Sequence, residues 1–514
     1  MAIDQKDALF SLIKSLSKSE KRQFKLYAGR LGGNAQANYM TLFNLLDRVI
    51  SYDDTLILKK TNIKKTQISN TKAHLYKQIL VSLRFNPMHQ NVRAQIREQF
   101  DFAAILYNKG LYTQSLKILD KAKELALNNG ENNLAYEIVE FEKGIESQYI
   151  TRSMSNRADQ LSEQAKELSL KNVMISKLSN LSLQLYSLLL KEGYVKDDAH
   201  AKIVTDYFEA RLPKYDLHTM SFMEKLYLYK AYLWHSMILQ DFVSSYKYSQ
   251  KWVDLFNEQP QMKMQNPVFY LKGVNYLLEA VYMLKHKTKF DSILNQLDAE
   301  IDNNEVAIND NTKTLTFLYL NQNKLNLFFL VGKFTKGIPY VQKLDSQIEE
   351  FRDMIDAHHT MVFYYKIACM YFGAGENEKC IEYLGRIIKN KRLKMREDLL
   401  CFSRILNLVA HYEAGLDYNI DKLIISTYKY LLKMNDFHLV QQKMIEFLKN
   451  LNNIYPQDLK KAFVQLHKDL IEFENHPHER RAFLYLDILS WLESKIQNRS
   501  VESIIQEKAK KLIK

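Results

Sequence analysis

Short turns between helical stretches recur along most of this chain, at Gly110, Gly193, Gln240, Thr288, Gly332, Gly375 and Gly415. Their intervals are 83, 47, 48, 44, 43 and 40 residues, the first being two units of about 41.5 if one near Arg152 to Gln164 has lost its glycine. One helix pair cannot bury its apolar face alone, whereas stacked neighbours can, so a pair repeating every 40 to 48 residues predicts an all-α chain built as an α-solenoid. Breakers are otherwise scarce, with 14 glycines and 7 prolines in 514 residues, where an average protein carries roughly 12% of the two together. A β-sandwich needs a turn every dozen residues, so the scarcity argues against it, and it rules out a collagen-like chain.

Five of the turns, at 110, 240, 288, 332 and 375, superpose residue by residue. An aromatic stands two positions after four of them (Tyr112, Phe242, Phe290, Phe334), and Asn377 is the exception. Five positions after, a small residue recurs in four (Ser115, Ser245, Gly337, Cys380), with Ile293 departing. Seven positions before, all five are apolar: Ala103, Leu233, Val281, Leu325 and Ala368. A small residue where two helices cross, flanked by apolar positions at helical spacing, is what close antiparallel packing requires.

This pattern resembles the tetratricopeptide (TPR) repeat over residues 91–435, best at Phe102 to Leu125. The chain departs from that family in its longer period, in lacking the first-helix tryptophan and in having no proline at the usual offset. The resemblance implies stacked antiparallel helix pairs whose first helices line a concave groove. Projected through the repeat register, the groove residues are Lys230, Trp234, Tyr282, Lys285, Gln322, Asn326 and Tyr365, a mix suited to a protein or peptide segment with some acidic character. Residues 436–514, with Leu459, Phe463, Leu466, Leu470 and Phe473 at helical spacing, read as a helical cap over the exposed end.

Residues 1–90 read as a separate helical module, opened by a Ser17/Glu20 capping box and closed near Pro87. Net charge is +13, and residues 1–100, with 17 Lys and Arg against 7 Asp and Glu, hold +10 of it. Such an asymmetry is an electrostatic footprint for a polyanion or an acidic protein face, although a solvated helical surface would also produce it. The residues expected to carry it are Lys18, Lys21, Arg22, Lys25, Lys59, Lys60, Lys64, Lys65 and Lys72. A second cluster follows a repeat helix: Arg386, Lys389, Lys391, Arg392, Lys394 and Arg396. Within 54–83, two helical stretches flank a turn near Asn62 as in a helix-turn-helix; Ile57, Ile63 and Ile68 fit its apolar positions, while Leu58 and Thr71 do not.

No phosphate loop, HExxH zinc motif or GxSxG nucleophile elbow is present. His476, His478 and Glu479 come nearest to a ligand set, but Pro477 between the histidines makes the stretch a loop. Cys369, Cys380 and Cys401 are too few for a disulfide framework and fit a reducing compartment. No uninterrupted apolar run approaches about 18 residues. The expectation is a cytoplasmic, non-catalytic scaffold without metal or cofactor, its basic module contacting an acidic partner. The alternative is a nucleic-acid-associated regulator acting through 54–83.

Overall fold

The computed structural model describes residues 7–30, 38–86, 91–148, 156–352, 354–390, 397–416, 420–433, 439–450, 454–455, 457–479, 483 and 487–511. Among these the chain is all-α, with 25 helices and no strand. The first five are α1 Ala8–Ser15, α2 Lys18–Arg30, α3 Asn38–Arg48, α4 Asp54–Lys60 and α5 Lys65–Arg84. Next come α6 Val92–Asn108, α7 Tyr112–Asn128, α8 Asn132–Glu146, α9 Arg157–Glu192 and α10 Asp198–Arg211. Then follow α11 Phe222–Ile238, α12 Phe242–Glu258, α13 Gln261–Gln265, α14 Pro267–Met283, α15 Lys287–Asp302, α16 Asp310–Val331 and α17 Phe334–Glu350. The remainder are α18 Ala357–Gly373, α19 Asn377–Ile388, α20 Glu397–Glu413, α21 Ile420–Leu431, α22 Leu439–Asn450, α23 Leu459–Ile471, α24 Ile488–Gln497 and α25 Val501–Lys511.

The chain divides into two compact units, residues 1–169 and 170–514. The first unit holds two apolar cores. One joins α1 to α5 through Ile13, Phe24, Leu42, Phe43, Leu75 and Ile79, with α4 and α5 both packed on α3. The other joins α6, α7, α8 and the start of α9 through Ala103, Leu119, Ile138 and Leu161. Beside it Lys123 meets Glu142 at 2.5 Å, and Arg157 lies 3.5 Å from the same carboxylate. Burial raises the Glu142 carboxyl above its ordinary value, against the pull of Lys123.

By length and composition the 36 residues of helix α9 are enough to cross a membrane, although scattered Ser, Asn, Gln and Lys interrupt its apolar run. The helix also carries a buried stripe at helical spacing, Leu161, Leu168, Leu178, Leu181 and Leu185.

In the second unit first helices pack in series, α14 on α16, α16 on α18 and α18 on α20, while the second helices α12, α15, α17 and α19 each meet the following first helix. The turns are marked by left-handed backbone at Gly193, Gln240, Lys285, Gly332, Gly375 and Gly415, 40 to 47 residues apart. The turn expected at Thr288 is therefore at Lys285, and Thr288 lies inside α15. With that shift the turns at Gln240, Lys285, Gly332 and Gly375 share one register. Seven positions before the turn stand Leu233, Leu278, Leu325 and Ala368, all without exposed surface. After the turns at Gln240, Lys285, Gly332 and Gly375, positions five, nine and twelve are buried: Ser245, Ser249 and Trp252; Phe290, Leu294 and Leu297; Gly337, Val341 and Leu344; Cys380, Leu384 and Ile387. In the first unit Gly110 sets the same register, and there the Ser115 hydroxyl donates to the Ala103 carbonyl at 2.8 Å across the helix crossing.

A lysine at φ 53° carries the Cβ penalty of the left-handed region. Lys285→Gly is expected to raise the unfolding free energy by about 0.5–1 kcal/mol in urea titration, the relieved strain exceeding glycine's entropy. The Lys285–Glu474 pair that it removes is largely exposed, at 3.7 Å, and contributes little.

The helices after residue 435 do more than cover one end. Phe463, Leu470, Leu489, Trp491 and Leu492 share one core with the helix pairs, and the segment returns to turn after turn. His478 Nε2 lies 3.3 Å from Asp198, and Gln240 donates to the His478 carbonyl at 3.5 Å. Glu474 reaches Lys285, Trp491 Nε1 donates to Glu413 at 2.7 Å, and Gln506 donates to the Gly332 carbonyl at 2.8 Å. Apolar contact accompanies these polar ones: Tyr412, at the end of α20, meets Phe463, and Phe463 meets Trp491 edge-on.

His235 in α11 stacks on Phe208 at 4.3 Å, and burial lowers its pKa to about 4, against a small opposing pull from Asp241. The native chain therefore holds it neutral where the unfolded chain, near pH 6.5, takes up a proton. Stability fully present above pH 6.5 is lost as pH falls towards 4. His235→Phe should retain about 1–2 kcal/mol more of its neutral-pH stability at pH 4.5 than the parent does, the full linkage being discounted for partial exposure.

Candidate interaction surface

Helix α2 begins where its capping box predicts: the Glu20 amide donates to Ser17 Oγ at 3.2 Å and the Ser17 amide donates to the Glu20 carboxylate at 2.7 Å. Phe24 and Ala28 anchor one side of the helix in the core. The other side carries Lys18, Lys21, Arg22 and Lys25, which with Leu26 line a shallow depression of about 400 Å³. Their spacing, i, i+3, i+4 and i+7, is what puts four cations on one face, over roughly 10 Å of helix.

Among the described residues only Lys21 of these four has a carboxylate partner, Asp47 at 2.8 Å. Lys25 sits over the Phe43 ring at 5.6 Å. Lys14, which was not among the expected cations, is tied down: it donates to the Asp47 carbonyl at 2.8 Å and lies over Phe10. Lys72 is likewise consumed inside the module, by Asp7 and the Tyr52 hydroxyl, so it is no free surface charge.

A second set surrounds the α4–α5 turn, where Lys59, Lys60, Lys64 and Lys65 are all exposed. Asp53 caps α4 by accepting from the Thr55 hydroxyl and amide, which with a smaller pull from Lys59 lowers its carboxyl pKa. Ile57, Ile63 and Ile68 are buried, as the helix-turn-helix spacing requires, whereas Leu58 is 39% exposed and Thr71 half-buried. Sequence inspection overlooked the run that follows: α5, from Lys65 to Arg84, contains no Asp or Glu. Its first half exposes Lys65, Thr66, Ser69, Asn70 and Ala73 on one side. The signal was present as an absence of acids, which a search for charged residues does not register.

The second basic cluster is not a free patch where it is described. Arg386 pairs with Asp345 at 3.3 Å and Glu382 at 2.8 Å, and its guanidinium stacks over Tyr383 at 4.2 Å. Lys389 is exposed at the end of α19. Lys391, Arg392, Lys394 and Arg396 lie outside the described residues.

The seven groove residues divide by burial. Trp234, Asn326 and Tyr365 are buried; Trp234 packs between Tyr186 and Tyr276 at 4.9 and 5.3 Å. Lys230, Tyr282 and Gln322 are half-buried, and Lys285 is exposed against Glu474. Burial, then the Lys272 charge, lowers the Lys230 pKa, while burial raises the Tyr282 phenol. The Lys285 register places Asn275 and Glu279 level with Lys230 and Trp234, and leaves Tyr282 three positions before the turn and Lys285 at the turn itself. Asn326 accepts from Lys366, whose pKa burial lowers to about 8.

His476, His478 and Glu479 serve the fold: Glu479 accepts from the Leu439 and Val440 amides at the start of α22, and His478 faces Asp198. Among the described residues no group of three or more His, Cys, Asp or Glu converges as a metal site. Burial pushes the Cys369 thiol up to about 12 and raises Cys380 well above its ordinary value, so neither is a ready thiolate.

No protein-family model, curated protein or solved structure matches the chain.

Proposed function

We propose that this chain is a non-catalytic interaction protein in which the N-terminal module docks a polyanionic partner and the TPR-like helix pairs of the second unit serve as a rigid scaffold. The observation that supports the docking role is the α2 depression, where Lys18, Arg22 and Lys25 stand without a carboxylate partner among the described residues. Cations that a folded protein leaves unneutralised on one face attract an anionic partner over roughly a Debye length, 8–10 Å. The scaffold role draws on the segment after residue 458, which ties the turns at Gln240, Lys285 and Gly332 to one core.

Retention of the full chain on a heparin resin, eluted by a salt gradient, tests the docking role. Lys18→Glu with Arg22→Glu and Lys25→Glu is expected to elute at clearly lower salt with an unchanged circular dichroism spectrum. Elution of parent and triple variant at the same salt removes α2 from the site.

A further inference from the structure

We propose that the α4–α5 segment takes duplex nucleic acid, with the first half of α5 lying in the major groove. This rests on the reading of the module as a polyanion site, and it assigns the partner.

Three observations favour a duplex over an acidic protein face. First, α5 presents no carboxylate anywhere along its length, and Asp7, which its Lys72 reaches, is neutralised by that lysine; the exposed anions Asp53 and Asp54 lie at the start of α4, off this helix. Nothing on this helix repels phosphate. Second, the exposed side chains Thr66, Ser69, Asn70 and Ala73 are short and mostly polar. A groove about 12 Å wide and 8.5 Å deep admits a helix so furnished, and Asn, Ser and Thr hydrogen-bond to base edges there. A protein partner is instead gripped by aromatic and Arg anchors in desolvated pockets, and this half of α5 offers none. Third, Lys59, Lys60 and Lys64 flank the helix start with Lys65 on its first turn, where cations meet the phosphates that border the groove.

The helix is held rigidly for this role. Ile68, Leu75 and Ile79 fix its opposite side in the core with Leu42 and Phe43 of α3, and Gln67 accepts from the Lys64 amide at the turn. The exposed Leu58 departs from the compact helix-turn-helix crossing; α4 packs on α3 instead, leaving the α5 face open.

Fluorescence anisotropy of the full-length chain with a labelled 20-bp duplex DNA of mixed sequence, and with labelled polyglutamate, between 50 and 200 mM salt provides the test. Four phosphate contacts predict a log-log salt slope of about −3.6 on the duplex. Lys64→Ala with Lys65→Ala should reduce that slope by roughly 2. Asn70→Trp adds bulk without charge, and should cost more than tenfold on the duplex while leaving thermal stability unchanged.

Polyglutamate bound as tightly as the duplex, with Asn70→Trp affecting neither, overturns the duplex assignment and leaves an acidic protein as the partner. Duplex binding that ignores the α5 variants but disappears on Lys18→Ala, Arg22→Ala and Lys25→Ala overturns the placement on α5. No binding to either probe overturns the polyanion reading itself.

Discussion

Lys263→Met is expected to lower the unfolding free energy by about 3–5 kcal/mol, seen as a lower urea midpoint with an unchanged slope. Lys263 and Glu300 meet at 2.9 Å with only 8% of each side chain exposed. The same carboxylate accepts from the Tyr270 hydroxyl and from Gln296 at 2.8 Å. Removing the ammonium strands a buried negative charge, and that stranded charge, more than the lost attraction, sets the size of the effect. Lys263→Met combined with Glu300→Gln should recover most of the loss, since a neutral amide still accepts from Tyr270. A double variant as unstable as the single one would show that packing, not charge, sets the cost.

Trp491→Ala should cost about as much, roughly 3–5 kcal/mol. The indole is fully buried and edge-on to Phe463 at 5.8 Å, and its Nε1 donates to Glu413, which Lys495 also holds at 2.5 Å. Hydrogen exchange should report the effect beyond α24, with faster exchange in α20, which carries Glu413. Faster exchange confined to α24 itself would mean that the returning segment lies on the helix pairs without supporting them.

The all-α class and the repeat were legible because they rest on period. Apolar positions seven before a turn and small positions five after it are set by close packing between helices, and that constraint leaves its mark on residue type. The turn at Lys285 was not legible: left-handed backbone normally selects Gly or Asn, and here a lysine adopts it because its neighbours are fixed. An aromatic, Phe290, then drew the alignment three residues out of register.

The cations of α2 could be read from their spacing, but their neutralisation could not. Which lysines are spent on Asp47 or Asp7 depends on partners 26 and 65 residues away. The return of the segment after residue 458 was invisible for a similar reason. Hydrophobic periodicity shows that a helix has an apolar face but not which distant surface covers it.

Arrays in which each repeat touches only its neighbours can begin to fold anywhere and can gain or lose whole repeats. The second unit is denied that freedom, because His478 reaches Asp198 across 280 positions and Gln506 reaches Gly332 across 174. During synthesis the helix pairs emerge first and wait with their turn ends uncovered until the residues that tie them have left the ribosome. The contacts that tie the array are completed only then, and a chain that lacks them leaves bare the apolar surface that α23 and α24 cover.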